Sequence, residues 1–188
     1  RRQESMSSWS ELAMNNRSSS EASDQTIGLL QKIPLFERLT PSDLRQVFDI
    51  CRLQQYRADE TLYRIGSPSL DMFILLEGNL VVRTSTGVEV ARITPVDLVG
   101  EMGLFTDSLR SAEVIALDDI MGLLIRKDDL TALFLRNTPV CIKILLNVIK
   151  IISQKVHNTN TQIERLKTRA PNLSKELDDI LSGNVFLY

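Results

Sequence analysis

Histidine and cysteine are nearly absent from this chain of 188 residues, which has one His and two Cys. Two cysteines cannot build a multi-bridge framework, and Cys51, Cys141 and His157 form no metal-ligand spacing. Both thiols stand among apolar residues, so buried, reduced cysteines are expected, and with them a cytoplasmic compartment. A lone His without a sequence neighbour to orient it argues against Ser-His-Asp or Cys-His catalysis. No other activated nucleophile or acid/base pair stands out, so no enzyme is expected. An excess of one charge is missing as well: 22 Lys+Arg face 24 Asp+Glu, for a formal net charge of −2. That balance lacks the basic footprint of a nucleic-acid binder. No apolar run of about 18 residues occurs, so no membrane-spanning helix is expected. The most apolar stretch, 141–152, is interrupted by Lys143 and Lys150. Arg1 and Arg2 lead into polar residues, which is not a signal-peptide pattern. The chain starts without Met and is expected to be a piece of something longer.

At roughly 150 residues per domain, the length fits one domain with appendages, or at most two very small ones. Residues 1–25 are serine-rich with little apolar material, a composition that reads as a disordered tail or linker. Ile33-Pro34-Leu35-Phe36 is a short apolar entry to a core. Thr40-Pro41-Ser42-Asp43 is a helix start, with a capping hydroxyl, Pro at the first position and an acid in the first turn. Leu44, Val47, Phe48 and Cys51 then share one helical face. From about 52 to 126 the period changes. Short β-rich segments at 62–65, 72–76, 80–83, 88–93, 112–116 and 121–125 alternate with turn signals such as Gly66-Ser67-Pro68 and Glu77-Gly78-Asn79. Their number and spacing suggest a barrel or a double-sheet jelly roll.

Helical spacing returns after Lys127 with Leu130, Leu133 and Phe134, and Pro139 opens a long helix. Ile142, Ile149, Val156 and Ile163 recur every seven residues, with Leu145, Ile152, Thr159 and Leu166 on the companion position. This is a heptad seam whose β-branched first position leans toward two parallel strands. A second stripe, Cys141, Ile144, Val148 and Ile151, lies beside it. A helix apolar on two faces needs two partners. The expected pair is the helix's own domain and a second copy of the chain; burial within one chain is the alternative. After Ala170-Pro171 a short amphipathic segment ends at Gly183. The boundaries read from the sequence are 1–25, 26–138, 139–168 and 169–188.

The segment from Val99 to Ala112 carries the chemistry. Gly100 and Gly103 let the backbone turn tightly and let a ligand come close. A helical turn beginning there aims the N–H groups of Met102, Gly103 and Leu104 at an anion. Arg110 is a positive fork suited to two phosphate oxygens, and Ser111 adds a hydroxyl. Glu101 repels phosphate when ionised but accepts from a sugar hydroxyl. Together these describe a sugar-phosphate site. An internal Glu101–Arg110 ion pair, with Ser111 opening a strand, fits the same spacing.

Gly100-Glu101 and Arg110-Ser111-Ala112 resemble the phosphate-binding cassette of the cyclic nucleotide-binding domain family. The resemblance runs over roughly 29–156 and takes in Ile33-Pro34-Leu35-Phe36, Leu39-Thr40-Pro41, Gly66, Glu77-Gly78 and Pro139. It implies a mainly β fold, an eight-stranded jelly-roll barrel with flanking N-terminal helices and a long C-terminal helix, the one whose heptad seam points to dimerisation. It implies cyclic AMP or cyclic GMP as ligand, cyclic AMP favoured, and no cofactor. Glu101 would take the ribose 2′-hydroxyl, Arg110 the cyclic phosphate, and Ser111 with the 102–104 turn further phosphate oxygens. Ser153, Gln154, His157 and Asn158 are the base-contact candidates on the long helix, a solvated helix face being the other reading for each. Two positions depart from the family pattern: Asp59 stands where Gly is frequent, and Pro95-Val96-Asp97 replaces a glycine-containing turn. Asp tolerates a left-handed backbone; Val does so poorly. The role implied is a regulatory module relaying nucleotide binding through the long helix, with a ligand-free dimerisation module on the same fold as the alternative.

Overall fold

The computed structural model describes residues 26–169, with side chains as far as 165. The serine-rich segment 1–25, the closing amphipathic segment and the Leu166 side chain lie outside the described residues. The chain divides into two compact units, one reaching Leu145 and the other starting at Leu146.

The first unit opens with a helical turn through 26–30 and a 3-10 turn, Pro34–Phe36. Ile33, Leu35 and Phe36 are fully or almost fully buried, so this apolar entry does join the core. Helix α1, Pro41–Asp49, starts as its sequence dictates. The Thr40 hydroxyl accepts from Asp43 N–H at 3.2 Å, and the Asp43 carboxylate accepts from Thr40 N–H at 3.0 Å. Leu44 and Val47 form its buried face. Cys51 was expected on that face; the helix stops before it, and Cys51 begins a strand. Its thiol still reaches back to Val47 O at 3.2 Å, and burial pushes the thiol pKa well up. Both cysteines are free and half-buried rather than fully enclosed.

The described strands are β1 Cys51–Tyr56, β2 Thr61–Tyr63, β3 Asp71–Glu77, β4 Leu80–Arg83, β5 Glu89–Ile93, β6 Asp97–Val99, β7 Glu113–Ala116 and β8 Ile120–Arg126. They form two four-stranded sheets, ordered β1-β8-β3-β6 and β2-β7-β4-β5, with every pairing antiparallel. The expected barrel is therefore corrected to two open sheets, neither closing on itself. Tyr63, Leu80, Val114 and Ala116 from one sheet share an apolar cluster with Phe73, Leu75, Val99 and Ile120 from the other. Strand β3 lies inside its sheet, which is why 72–76 is buried throughout and reads as a continuous apolar run. Two strands escaped the sequence reading. In β1 half-buried residues alternate with exposed Arg52 and Gln54, and β6 has only three residues, too few to show a period.

Helix α2, Glu101–Thr106, interrupts the strands after β6; α3, Lys127–Arg136, follows β8; α4 runs from Thr138 to Arg169. Two bonds fasten the start of α4 inside the first unit. Lys143 Nζ donates to Asp43 Oδ2 at 2.7 Å, and Asn137 Nδ2 donates to Gln46 Oε1 at 3.0 Å. Burial works against the Asp43 carboxylate, but the bonds from Lys143 and Thr40 outweigh it and hold its pKa below the ordinary value. Val140 and Ile144 are fully buried. The seam residues Ile142, Leu145, Ile149 and Val156 are 53%, 41%, 61% and 54% exposed, while Ile152 and Ile163 are half-buried. No described helix is long and apolar enough to cross a membrane.

Candidate functional site

Strand β6 pairs with β3 through Phe73 and Val99, and there the chain must turn. Gly100 makes the turn with φ +89 and caps α2 at its N-terminus. A side chain is excluded on two grounds. The φ is left-handed, and an added Cβ would lie 2.5 Å from Arg110 Nη1 and 3.0 Å from the Tyr63 ring. Gly103 presses on Ser69 so closely that a Cβ there would overlap its hydroxyl. The close approach expected at the two glycines is thus made by the chain's own side chains. Asp107, φ +58, ends the helix, and its carboxylate pairs with Lys127.

The loop that follows turns Arg110 inward. Its backbone is fixed on both sides, with Arg110 N–H donating to Ser67 O at 2.9 Å and Gly66 N–H donating to Arg110 O at 2.8 Å. The side chain is 5% exposed. Nη1 donates to Gly100 O at 3.1 Å; Nη2 donates to Asp71 O at 2.7 Å and to Asp71 Oδ1 at 3.0 Å. The guanidinium lies over the Tyr63 ring, 3.6 Å from its centre. Burial, then the neighbouring Asp71 carboxylate, push the Tyr63 phenol pKa well up, so the ring is neutral at any ordinary pH. Three buried polar atoms here have no hydrogen-bond partner: Arg110 Nε, Tyr63 Oη and Ser69 Oγ. An orphaned buried donor costs about 1–3 kcal/mol, which an arriving acceptor would recover.

Of the expected site residues, Glu101 is buried, Leu104 is buried, and Met102 is 46% exposed. Leu104 N–H already donates to Gly100 O at 3.3 Å, leaving the Met102 and Gly103 N–H groups at the open first turn. Ser111 is exposed beside Arg110, and Ala112 is half-buried. The ion pair of Arg110 is made with Asp71. Tyr63, Ser69 and Asp71 were not foreseen, because nothing in their local sequence separates them from ordinary strand and loop residues. Ser153, Gln154, His157 and Asn158 are exposed on α4, in the second unit. Asp59, φ +66, takes the left-handed conformation that Asp tolerates, and Val96 is not among the positive-φ residues. A cavity of about 510 Å³ opens beside Tyr56, Glu77 and Met121, and the Tyr56 phenol on its wall is close enough to the Asp71 carboxylate for that charge to help burial raise its pKa.

Residues 53–137 match the family described as the cyclic nucleotide-binding domain. Over 90 residues, 46% of this chain, the sequence is 33% identical to a cAMP-dependent protein kinase regulatory subunit of Mycosarcoma maydis. Over 88 residues, 47% of the chain, it is 35% identical to a cyclic nucleotide-gated potassium channel of Mesorhizobium japonicum. These alignments span only 17% and 24% of the two relatives. A crystal structure of a cyclic nucleotide-binding domain from Methylobacillus flagellatus superposes with a TM-score of 0.67, covering 77% of this chain and 84% of that one. At 18% identity it shares the fold. Two antiparallel sheets, the Gly100–Ala112 cassette and the match over 53–137 converge on one likeness: this segment is similar to the cyclic nucleotide-binding domain family.

Proposed function

We propose that this chain is a regulatory, non-catalytic sensor that binds a cyclic nucleotide at the 100–112 cassette and relays binding through α4. The observation that carries it is Arg110, a buried cation fixed beside the start of α2 with an unpartnered Nε–H. Arg110 takes the cyclic phosphate together with Ser111 and the Met102 and Gly103 N–H groups. Glu101 accepts from the ribose 2′-hydroxyl. Cyclic AMP is favoured over cyclic GMP because one relative is a cAMP-dependent kinase regulatory subunit. The module comprises 26–138, with 139–168 as lid and dimer seam. Ser153, Gln154, His157 and Asn158 are the base contacts offered, and the exposed seam residues pair with a second copy. The setting is cytoplasmic, and the output lies in a partner or effector domain. Nucleotide shifts α4 only if it binds one arrangement of that helix better than the other.

Titration calorimetry with both nucleotides tests this. Wild type binds, and Arg110→Ala weakens binding roughly 100-fold or more, two charge-assisted bonds being lost. Unchanged affinity in the variant overturns the assignment. The Arg110–Asp71 pair supports a second reading, a ligand-free dimerisation module, since the cation is already neutralised internally. A dimer with no thermal shift under either nucleotide would favour it.

A further inference from the structure

We propose that Tyr63 is the positioning residue for Arg110: its ring sets the plane of the guanidinium and thereby the affinity of the site. The affinity half rests on the cyclic-nucleotide reading above; the positioning half does not.

Arginine brings high rotamer freedom, and a ligand that must first immobilise it binds more weakly. Here three neighbours fix the group. Gly100 O and Asp71 hold it by its edges, in the guanidinium plane. Tyr63 meets its face. The difference matters for function. Each edge contact consumes an N–H donor that a phosphate would need, whereas a ring under the face holds the cation and leaves its donors in place. Gly100 completes the stack, since a side chain there would strike both Arg110 and the Tyr63 ring. The Tyr63 hydroxyl is buried near the Asp71 carboxylate without a well-formed hydrogen bond to it. Tyr63→Phe removes the hydroxyl and keeps the ring, so it separates the two contributions, and binding should survive it if the ring is the part in use.

The full chain, labelled with nitrogen-15, supplies the first test. The Arg110 Nε–H resonance, identified by its disappearance in Arg110→Lys, should show the displacement that an aromatic ring imposes on a proton at its face. Tyr63→Phe should keep that displacement and Tyr63→Leu should abolish it. Calorimetry with cyclic AMP supplies the second. Tyr63→Phe should stay within about threefold of wild type, and Tyr63→Leu should bind about tenfold more weakly, the scale of one desolvated cation–ring contact. If Tyr63→Leu does not fold, Tyr63→Met, whose flexible side chain fills irregular gaps, takes its place. An unmoved resonance in the Leu or Met variant overturns the proposal; so does unchanged affinity, or equal loss in Phe and Leu. If wild type binds neither cyclic nucleotide, the functional reading fails, and the resonance alone decides whether Tyr63 positions Arg110.

Discussion

Gly100 and Gly66 both have left-handed backbones, φ +89 and +75, yet only Gly100 is crowded. Gly66→Ala meets open space and pays for the backbone alone, about 1 kcal/mol. Gly100→Ala adds a clash with Arg110 and Tyr63, so its loss should approach 3 kcal/mol in urea unfolding, with nucleotide binding lost alongside. Equal losses would mean that the close approach at Gly100 carries no energy. Asp43 makes a prediction in pH. Its folded pKa is depressed, so its stabilisation is fully present above the unfolded value, about 3.9, and is lost as pH falls through the lower folded one. Asp43→Asn should therefore destabilise the fold at pH 7, and the gap to wild type should close in acid below the ordinary carboxylate range. At this scale much was legible: the Thr40–Asp43 cap and the tolerance of Asp59 for positive φ. Tyr63 and Asp71 were not, because they meet Arg110 only after β2 and β3 have been brought together.

Helices announced themselves through punctuation and period. Thr40-Pro41 and Pro139 mark two starts, and in the second stripe Ile144 and Val148 are buried while Cys141 and Ile151 are half-buried. The short strands with strong apolar character were visible; β1, with its outward Arg52 and Gln54, and the three-residue β6 were not. Closure was the element-scale error. Strand spacing reports how many segments alternate but not which edges pair, so one barrel and two facing sheets look alike. The exposed seam of α4 carries the dimer prediction. Replacing Ile149 and Val156 with Asp should convert a dimer to a monomer in light scattering, since buried unpaired carboxylates are costly. A wild-type chain that is already monomeric would remove the seam's proposed role.

For the molecule as a whole, ligand linkage gives a global readout. At 100 times the dissociation constant, a nucleotide that binds only the folded state adds about 2.7 kcal/mol of stability. Differential scanning calorimetry should then show unfolding several degrees higher with cyclic AMP, and an unshifted transition at saturating nucleotide would exclude specific binding. The near-neutral charge was informative at this scale. The proposed site for one small anion needs one buried Arg, not a basic surface, and Arg110 is buried. The long-range meeting of positions 63, 71 and 110 is a property of the complete fold, which no local spacing encodes. The fastening of α4 at Asn137 and Lys143 has a mechanical side. Asn137 works in two directions at once: its Oδ1 accepts from Val140 N–H at 3.2 Å while its Nδ2 grips Gln46, so the residue that starts the helix is also the one that ties its first turn to α1.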